Sequence, residues 1–344
     1  MIRILMIVGA IFLLSSCGSD VKEIQNNKDS VATPAISESE QTIAFKEINS
    51  ALKAEINNPT LYLKRAKLYV KYDDLFSAVN DLDRAIGIDS TAPEYYLLKA
   101  ELLKRQDKLK ESKEVLDKVM YIDNDNLQAR LELGYLALIA RQYKQALDYA
   151  DAVLKKDVYN AEAYFLKGMV FEDKRDTSRA ISSYVTAIEQ ENDYYEAYMQ
   201  VGILSSHENK ALGKGYIKNA LRVKPESLEA LYALGMICQE SAEYNEAIET
   251  YHKILSIEEF REPHFNLGFI HQEYLKVYDV AIEHYTNAIR LEPKYIDAYY
   301  NRALCYEQLD EPKKAVADLK IALELNPQYT PAALLMGRVL KNNE

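Results

Sequence analysis

Residues 296–329 read IDAYYNRALCYEQLDEPKKAVADLKIALELNPQY, and their rhythm decides the fold. Apolar and small residues recur three and four apart in two blocks: Ala298, Tyr299, Ala303 and Tyr306, then Ala315, Leu319 and Ala322. That is the period of about 3.6 residues of an amphipathic helix, so the segment predicts two helices, A and B, joined by a polar turn. Glu311-Pro312 opens the second helix, where the N–H that proline lacks has no intrahelical partner to lose, and Pro327 closes it.

Working outward, the same segment recurs along the chain. Small residues stand at Ala66, Ala100, Gly134, Gly168, Gly202, Gly235, Gly268, Ala303 and Gly337, at spacings of 34, 34, 34, 34, 33, 33, 35 and 34. A second series, Ala78, Ser112, Ala146, Ala180, Gly213, Ala247, Ala281 and Ala315, keeps the same period. Small residues are needed where A and B cross, because a bulky one would push the axes beyond the usual separation of about 8 to 10 Å. Eight repeats follow, at 59–92, 93–126, 127–160, 161–194, 195–227, 228–260, 261–295 and 296–329. Repeat 5 reads as one residue short in its A–B turn, and repeat 7 as one residue long there. Residues 42–56 predict a lone helix of B type and residues 331–341 a lone helix of A type, covering the two ends of a stacked array.

Repeat 4 supplies Tyr164, Gly168, Phe171, Ala180, Tyr184 and Ala187, and repeat 8 supplies Tyr299, Tyr306, Ala315, Ala322 and Pro327. In type and spacing these resemble the tetratricopeptide repeat (TPR) family over about 59–329. The resemblance implies an all-α, right-handed α-solenoid of about eight helix pairs with a capping helix at each end. It also implies a concave inner surface that binds proteins or peptides. The family's closing proline stands only at Pro225, Pro293 and Pro327, which leaves the other inter-repeat turns less defined.

The chain begins with Arg3, an apolar run from Ile4 to Leu14, and Leu14-Ser15-Ser16-Cys17. The run gives roughly 16 Å of helix, too short to span a bilayer core, so residues 1–16 read as a secretion signal. The last four residues resemble the bacterial lipobox, which implies cleavage before Cys17 and acylation of that cysteine. Gly18, in place of a retention aspartate, favours the outer membrane, facing the periplasm, with the cell surface as the alternative. The alternative is a plain secretory signal that happens to hold a cysteine. Residues 17–40 are polar, contain Pro34 and read as an acylated flexible tether, with a reach of about 25 Å. A formal charge of −11 argues against nucleic acid, which needs clustered Lys and Arg, and leaves the lipid anchor as the only expected membrane contact.

Two faces of each helix A account for the core, and a third, at repeat positions 5 and 9, should be polar if it meets water. From repeat 3 to repeat 8 it reads Leu131/Tyr135, Phe165/Met169, Met199/Ile203, Tyr232/Met236, Phe265/Phe269 and Tyr300/Leu304. Position 9 of repeats 1 and 2 is charged, Lys67 and Glu101, so the stripe has an N-terminal limit. In the TPR family this face lines the concave groove. Two readings remain: an open groove for a partner, or positions closed by the chain's own stacking. Glu172, Asp173, Gln239, Glu240, Gln272, Glu273, Glu307 and Gln308 flank the stripe, so an open groove would suit an amphipathic, basic segment. Asn266 and Asn301 resemble family asparagines that bond a bound peptide's backbone.

The rest of the chain offers no constellation for catalysis or for a cofactor. The five histidines are His207, His252, His264, His271 and His284. His264 and His271 lie seven apart on one helix, about 10.5 Å in rise, and read as core residues rather than metal ligands. Cys238 and Cys305 sit two repeats apart and read as buried thiols. Asp123-Asn124-Asp125-Asn126 lacks the glycine and glutamate of a calcium loop and reads as helix capping. The acids Glu94, Glu162, Glu196, Glu229, Glu262 and Asp297 stand in first helical turns, where they complement the helix dipole. The expected function is a membrane-anchored, non-catalytic scaffold that binds a protein or peptide partner in the concave groove and assists assembly or regulation of an envelope complex. Capture of glycans on exposed aromatics is the alternative, weakened by the absence of tryptophan and kept open by 27 tyrosines.

Overall fold

The computed structural model describes residues 40–342, and these form helices and turns throughout. The signal, Cys17 and nearly all of the tether lie outside the described residues. The chain divides into two units, the first ending at Ile56 and the second running from Asn57. The described part of the first holds α1 (Glu40–Ala54), a helix where a lone one is expected. Among the described residues no helix is long and apolar enough to cross a membrane.

The second unit is a series of helix pairs. Repeats 1 to 4 are α2 (Pro59–Lys71) with α3 (Leu75–Ile88), α4 (Pro93–Arg105) with α5 (Leu109–Ile122), α6 (Leu127–Ile139) with α7 (Tyr143–Leu154), and α8 (Ala161–Asp173) with α9 (Thr177–Gln190). Repeats 5 and 6 are α10 (Tyr195–Ser206) with α11 (Lys210–Val223) and α12 (Leu228–Glu240) with α13 (Tyr244–Ile257). Repeats 7 and 8 are α14 (Arg261–Phe269) with α15 (Tyr278–Leu291) and α16 (Ile296–Gln308) with α17 (Pro312–Leu325), before a final α18 (Thr330–Lys341). Each A helix packs on its own B helix and each B helix on the next A helix, the stacking of an α-solenoid. Side chains cap the A helices where the turn supplies them. Asn126 Oδ1 accepts the Ala129 N–H at 2.9 Å and Asn160 Oδ1 the Ala163 N–H at 3.0 Å. The Asp123–Asn126 turn therefore serves as a cap, as its sequence implies.

The small residues do more than thin the crossings. A Cβ on Gly168, Gly235 or Gly268 would fall 2.5, 2.6 or 2.8 Å from the ring of Tyr184, Tyr251 or Tyr285 on the facing B helix. Each of those rings is fully buried, and a buried phenol needs a hydrogen-bond partner. Tyr184 donates to Glu172 at 2.6 Å, Tyr251 to Gln239 at 3.1 Å and Tyr285 to Gln272 at 2.7 Å. One glycine, one tyrosine and one polar acceptor thus form a unit used in repeats 4, 6 and 7.

The A–B turn contains one left-handed residue in seven repeats: Asp73, Asp107, Arg141, Arg175, Ala242, Lys276 and Asp310, with φ between 55° and 61°. Repeat 5 has none, in keeping with its shorter turn. The extra residue of repeat 7 lies elsewhere than its sequence suggests. Eight residues separate Gly268 from Lys276 against seven from Gly235 to Ala242, and the surplus is absorbed where α14 runs on as a π-helical segment, Ile270–Leu275. The turn keeps its geometry and the helix takes the slack.

Candidate protein-binding groove

The structure separates the two positions of the apolar stripe. At position 5, Leu131 and Met199 are only 2% and 3% exposed, so these two are core residues and do not line an open groove. The cause is local: α6 touches α8 and α10 touches α12 directly, which closes the space over them. The position-5 aromatics also spend much of their area on neighbours. Phe165 lies 5.1 Å from the Tyr184 ring and 5.0 Å from Tyr194, and Phe265 lies 5.6 Å from Tyr285 and 5.0 Å from Tyr295. Tyr232 approaches Tyr251 at 6.2 Å and Tyr300 meets Tyr329 edge-on at 5.7 Å. All four remain half-buried.

Position 9 of the stripe is half-buried throughout, without a closed exception. Tyr135, Met169, Ile203, Met236, Phe269 and Leu304 are each half-buried, one per repeat from the third to the eighth. Phe269 packs edge-on against Tyr274 at 5.9 Å, and Tyr274, itself exposed, stacks on Tyr244 at 4.2 Å. Tyr135 bonds Glu162 through its hydroxyl, and burial holds that phenol far above its ordinary pKa. Burial and the nearby Glu132 carboxylate raise the pKa of Glu162, against the pull of the Tyr135 hydroxyl and Lys104.

The polar residues beside the stripe are largely committed to the fold. Glu172, Gln239 and Gln272 hold the buried tyrosines described above, and Gln272 is 4% exposed. Asp173 accepts from the Tyr143 hydroxyl at 2.8 Å, Glu240 pairs with Lys210 at 3.4 Å, and Glu307 takes two bonds from Arg338 at 2.7 and 2.6 Å. The negative rim expected from the sequence is thus weaker than a count of its acids suggests. Asn266 directs its amide nitrogen at the hydroxyls of Tyr251, at 3.2 Å, and Tyr232, at 3.3 Å. Asn301 bonds the Asp297 carbonyl one turn back at 2.8 Å. Both amide nitrogens thus have intramolecular partners, and both residues remain half-buried.

The thiols of Cys238 and Cys305 are free and buried, and burial pushes both up to about 12. Cys238, Glu243 and Glu246 place ligand-type atoms within 4.8 Å of one another. The cation there is an ammonium: Lys214 bonds both carboxylates and Lys218 reaches Glu246 at 2.6 Å. His264 is buried and His271 half-buried, in keeping with core positions, and two further rings approach them. His284, on α15, brings its ring to 5.5 Å from His271, 5.7 Å from His264 and 5.9 Å from His252. Spacing along one helix gave no sign of this, because the convergence crosses helices.

Stacked helix pairs with half-exposed apolar residues along successive A helices define an α-solenoid. Models described as tetratricopeptide repeat match residues 93–126, 131–196, 230–260 and 296–329, and one described as TPR repeat matches 276–310. The chain belongs to the tetratricopeptide repeat family. Among curated relatives it is 26% identical over 222 residues to human Protein O-mannosyl-transferase TMTC3, covering 61% of this chain and 24% of that protein. It is 28% identical over 188 residues to human DnaJ homolog subfamily C member 7, covering 53% and 33%. A wheat (Triticum aestivum) Hsp70-Hsp90 organizing protein matches at 30% over 135 residues, 31% of this chain and 23% of that one. The chain thus spans about a quarter to a third of the length of these relatives. Among solved structures, the C-terminal part of a TPR repeat-containing protein from Cytophaga hutchinsonii aligns with TM-score 0.60 at 19% identity, covering 70% of this chain and 99% of that one. Cut9 with Hcn1, from an APC/C hetero-tetramer, gives TM-score 0.50 at 18% identity, covering 88% and 60%. These likenesses show the fold.

Proposed function

We propose that this protein is a lipid-anchored scaffold of the bacterial envelope, held to the outer membrane through Cys17, which binds a protein segment along position 9 of its A helices. The observation that carries the reading is the row Tyr135, Met169, Ile203, Met236, Phe269 and Leu304. These residues are apolar or aromatic and half-open, while their counterparts in the first two repeats are Lys67 and Glu101. Partly exposed apolar residues recurring on one face of a surface otherwise rich in charge are the kind of feature that marks an interaction site. Relatives named for organizing Hsp70 and Hsp90 support the general role of gathering proteins. The partner best suited presents apolar side chains at helical or extended spacing. With the polar flanks largely paired internally, shape and apolar burial carry recognition more than charge.

The test is Met236→Asp together with Phe269→Asp. Retention of a discrete protein partner is expected to fall below detection while the thermal midpoint stays near that of the parent. A loss of several kcal/mol, on the scale of about 2–5 for a disrupted core, would show the row to be structural instead. Retention of polysaccharide rather than protein would favour the glycan reading. For the anchor, metabolic labelling with palmitate is expected to mark the parent chain and to leave Cys17→Ser unlabelled.

A further inference from the structure

Four imidazoles from four successive elements meet at the boundary of the sixth and seventh repeats. His252 stands on α13, His264 on α14, His271 on the π-helical segment and His284 on α15. Nδ1 of His264 and Nδ1 of His284 meet in a long hydrogen bond at 3.4 Å, with the tautomer deciding which donates. A tetrahedral zinc ion with imidazole nitrogens at about 2.0–2.1 Å holds any two of them about 3.3–3.4 Å apart, so the pair already has the spacing of one edge of such a site.

The surroundings decide which nitrogen carries the lone pair. His264 is buried, its Nε2 has no hydrogen-bond partner, and the closest carboxylate oxygen is Oε1 of Glu259 at 3.5 Å. Arg290 holds that same oxygen at 2.5 Å. A carboxylate beyond Nε2 favours the tautomer with its hydrogen there, which leaves the Nδ1 lone pair pointing at His284. Metal-bound histidines are oriented by the same arrangement of an outer carboxylate and an inner free nitrogen. His271 spends Nδ1 on the Leu267 carbonyl at 2.8 Å and stacks on His284 at 29°, which fixes the plane of that ring. His252 is exposed, and no three of these histidines bring ring nitrogens within 4.8 Å of one another, so its ring must rotate toward the pair to serve as a third donor.

We propose that His264 and His284, with His252 as the third ligand, bind a divalent transition ion of the zinc class, water completing the shell. Zinc, nickel and copper(II) take imidazole nitrogen readily, whereas magnesium and calcium require oxygen donors that this cluster lacks. The ion would tie α13, α14 and α15 together.

The full chain, purified in detergent without a polyhistidine tag and stripped with EDTA, is titrated with zinc chloride by calorimetry at neutral pH. Saturable uptake of one ion per chain is expected, with a zinc-dependent rise in the thermal midpoint. His284→Gln and His252→Gln should each weaken binding at least about tenfold, the scale on which lost ligands and their supports act. His207→Gln, at an exposed histidine outside the cluster, should bind as the parent does. His252→Gln alters an exposed side chain and keeps the test independent of any folding defect from His284→Gln. Absence of saturable uptake, or uptake that survives either cluster substitution, overturns the proposal.

Discussion

Arg302 holds Asp318 through two parallel hydrogen bonds, Nε to Oδ2 at 2.8 Å and Nη2 to Oδ1 at 2.7 Å, and Arg65 holds Asp81 in the same manner at 2.6 and 2.7 Å. In both cases the arginine sits on helix A, sixteen residues ahead of a carboxylate on helix B that is almost closed off from water. Repeats 1 and 8 thus join their helices with a forked ion pair where repeats 4, 6 and 7 use a tyrosine over a glycine.

Removing one arm of that fork strands the other. Arg302→Met would leave Asp318 buried beside an apolar side chain, at a cost of about 3–5 kcal/mol, and adding Asp318→Leu should restore most of it. Urea unfolding followed by circular dichroism measures both; equal losses in the single and double variants would contradict this account.

Two glycines make a matched comparison. Gly168→Ala places a methyl 2.5 Å from the Tyr184 ring and should destabilise by about 1–3 kcal/mol. Gly215, on α11, has nothing within 4 Å of where its Cβ would stand, so Gly215→Ala should stabilise by up to about 1 kcal/mol through helix propensity. The two midpoints are expected to move in opposite directions.

Glu162 gives a pH dependence with a definite sign. Its folded pKa is raised by burial and by Glu132, so folding disfavours its ionised form. The penalty is present above the raised pKa and fades as pH falls through it toward the ordinary carboxylate value. Glu162→Gln should therefore raise the thermal midpoint at pH 7 and make no difference near pH 4, where the parent carboxyl is already protonated. A benefit that persisted unchanged at pH 4 would rule out this cause.

Left-handed residues other than glycine carry a cost of about 1–2 kcal/mol, and Ala242 has φ 61° with no polar side chain to offset it. Glycine relieves that strain but gains freedom in the unfolded chain, about 0.4–1 kcal/mol. Ala242→Gly should therefore stabilise by about 0.5–1 kcal/mol, read as a shift of the urea midpoint at unchanged slope.

The helix pairs were legible because a period repeated eight times outweighs any single ambiguous residue. The shift of one residue in repeat 7 was legible as a length and not as a place: Gly268 to Lys276 is one residue too long, but only hydrogen bonding tells a longer turn from a widened helix. Position 9 was legible as apolar. The burial of Leu131 and Met199 was not, since it depends on how closely α6 nears α8 and α10 nears α12, an angle that no local spacing encodes. The same holds for Glu172, Gln239 and Gln272, which look like surface acids and amides until a tyrosine from the next helix reaches them. The meeting of four histidines was hidden because each occupies an ordinary place in its own helix.

The π-helical segment at Ile270–Leu275 acts as a local fuse. A surplus residue that would rotate everything downstream by about 100° is spent within one turn, and Lys276 begins its reversal in phase with Ala242 and Asp310. Insertions of this size can therefore accumulate in such an array one repeat at a time, each contained where it arises, without misaligning the modules on either side.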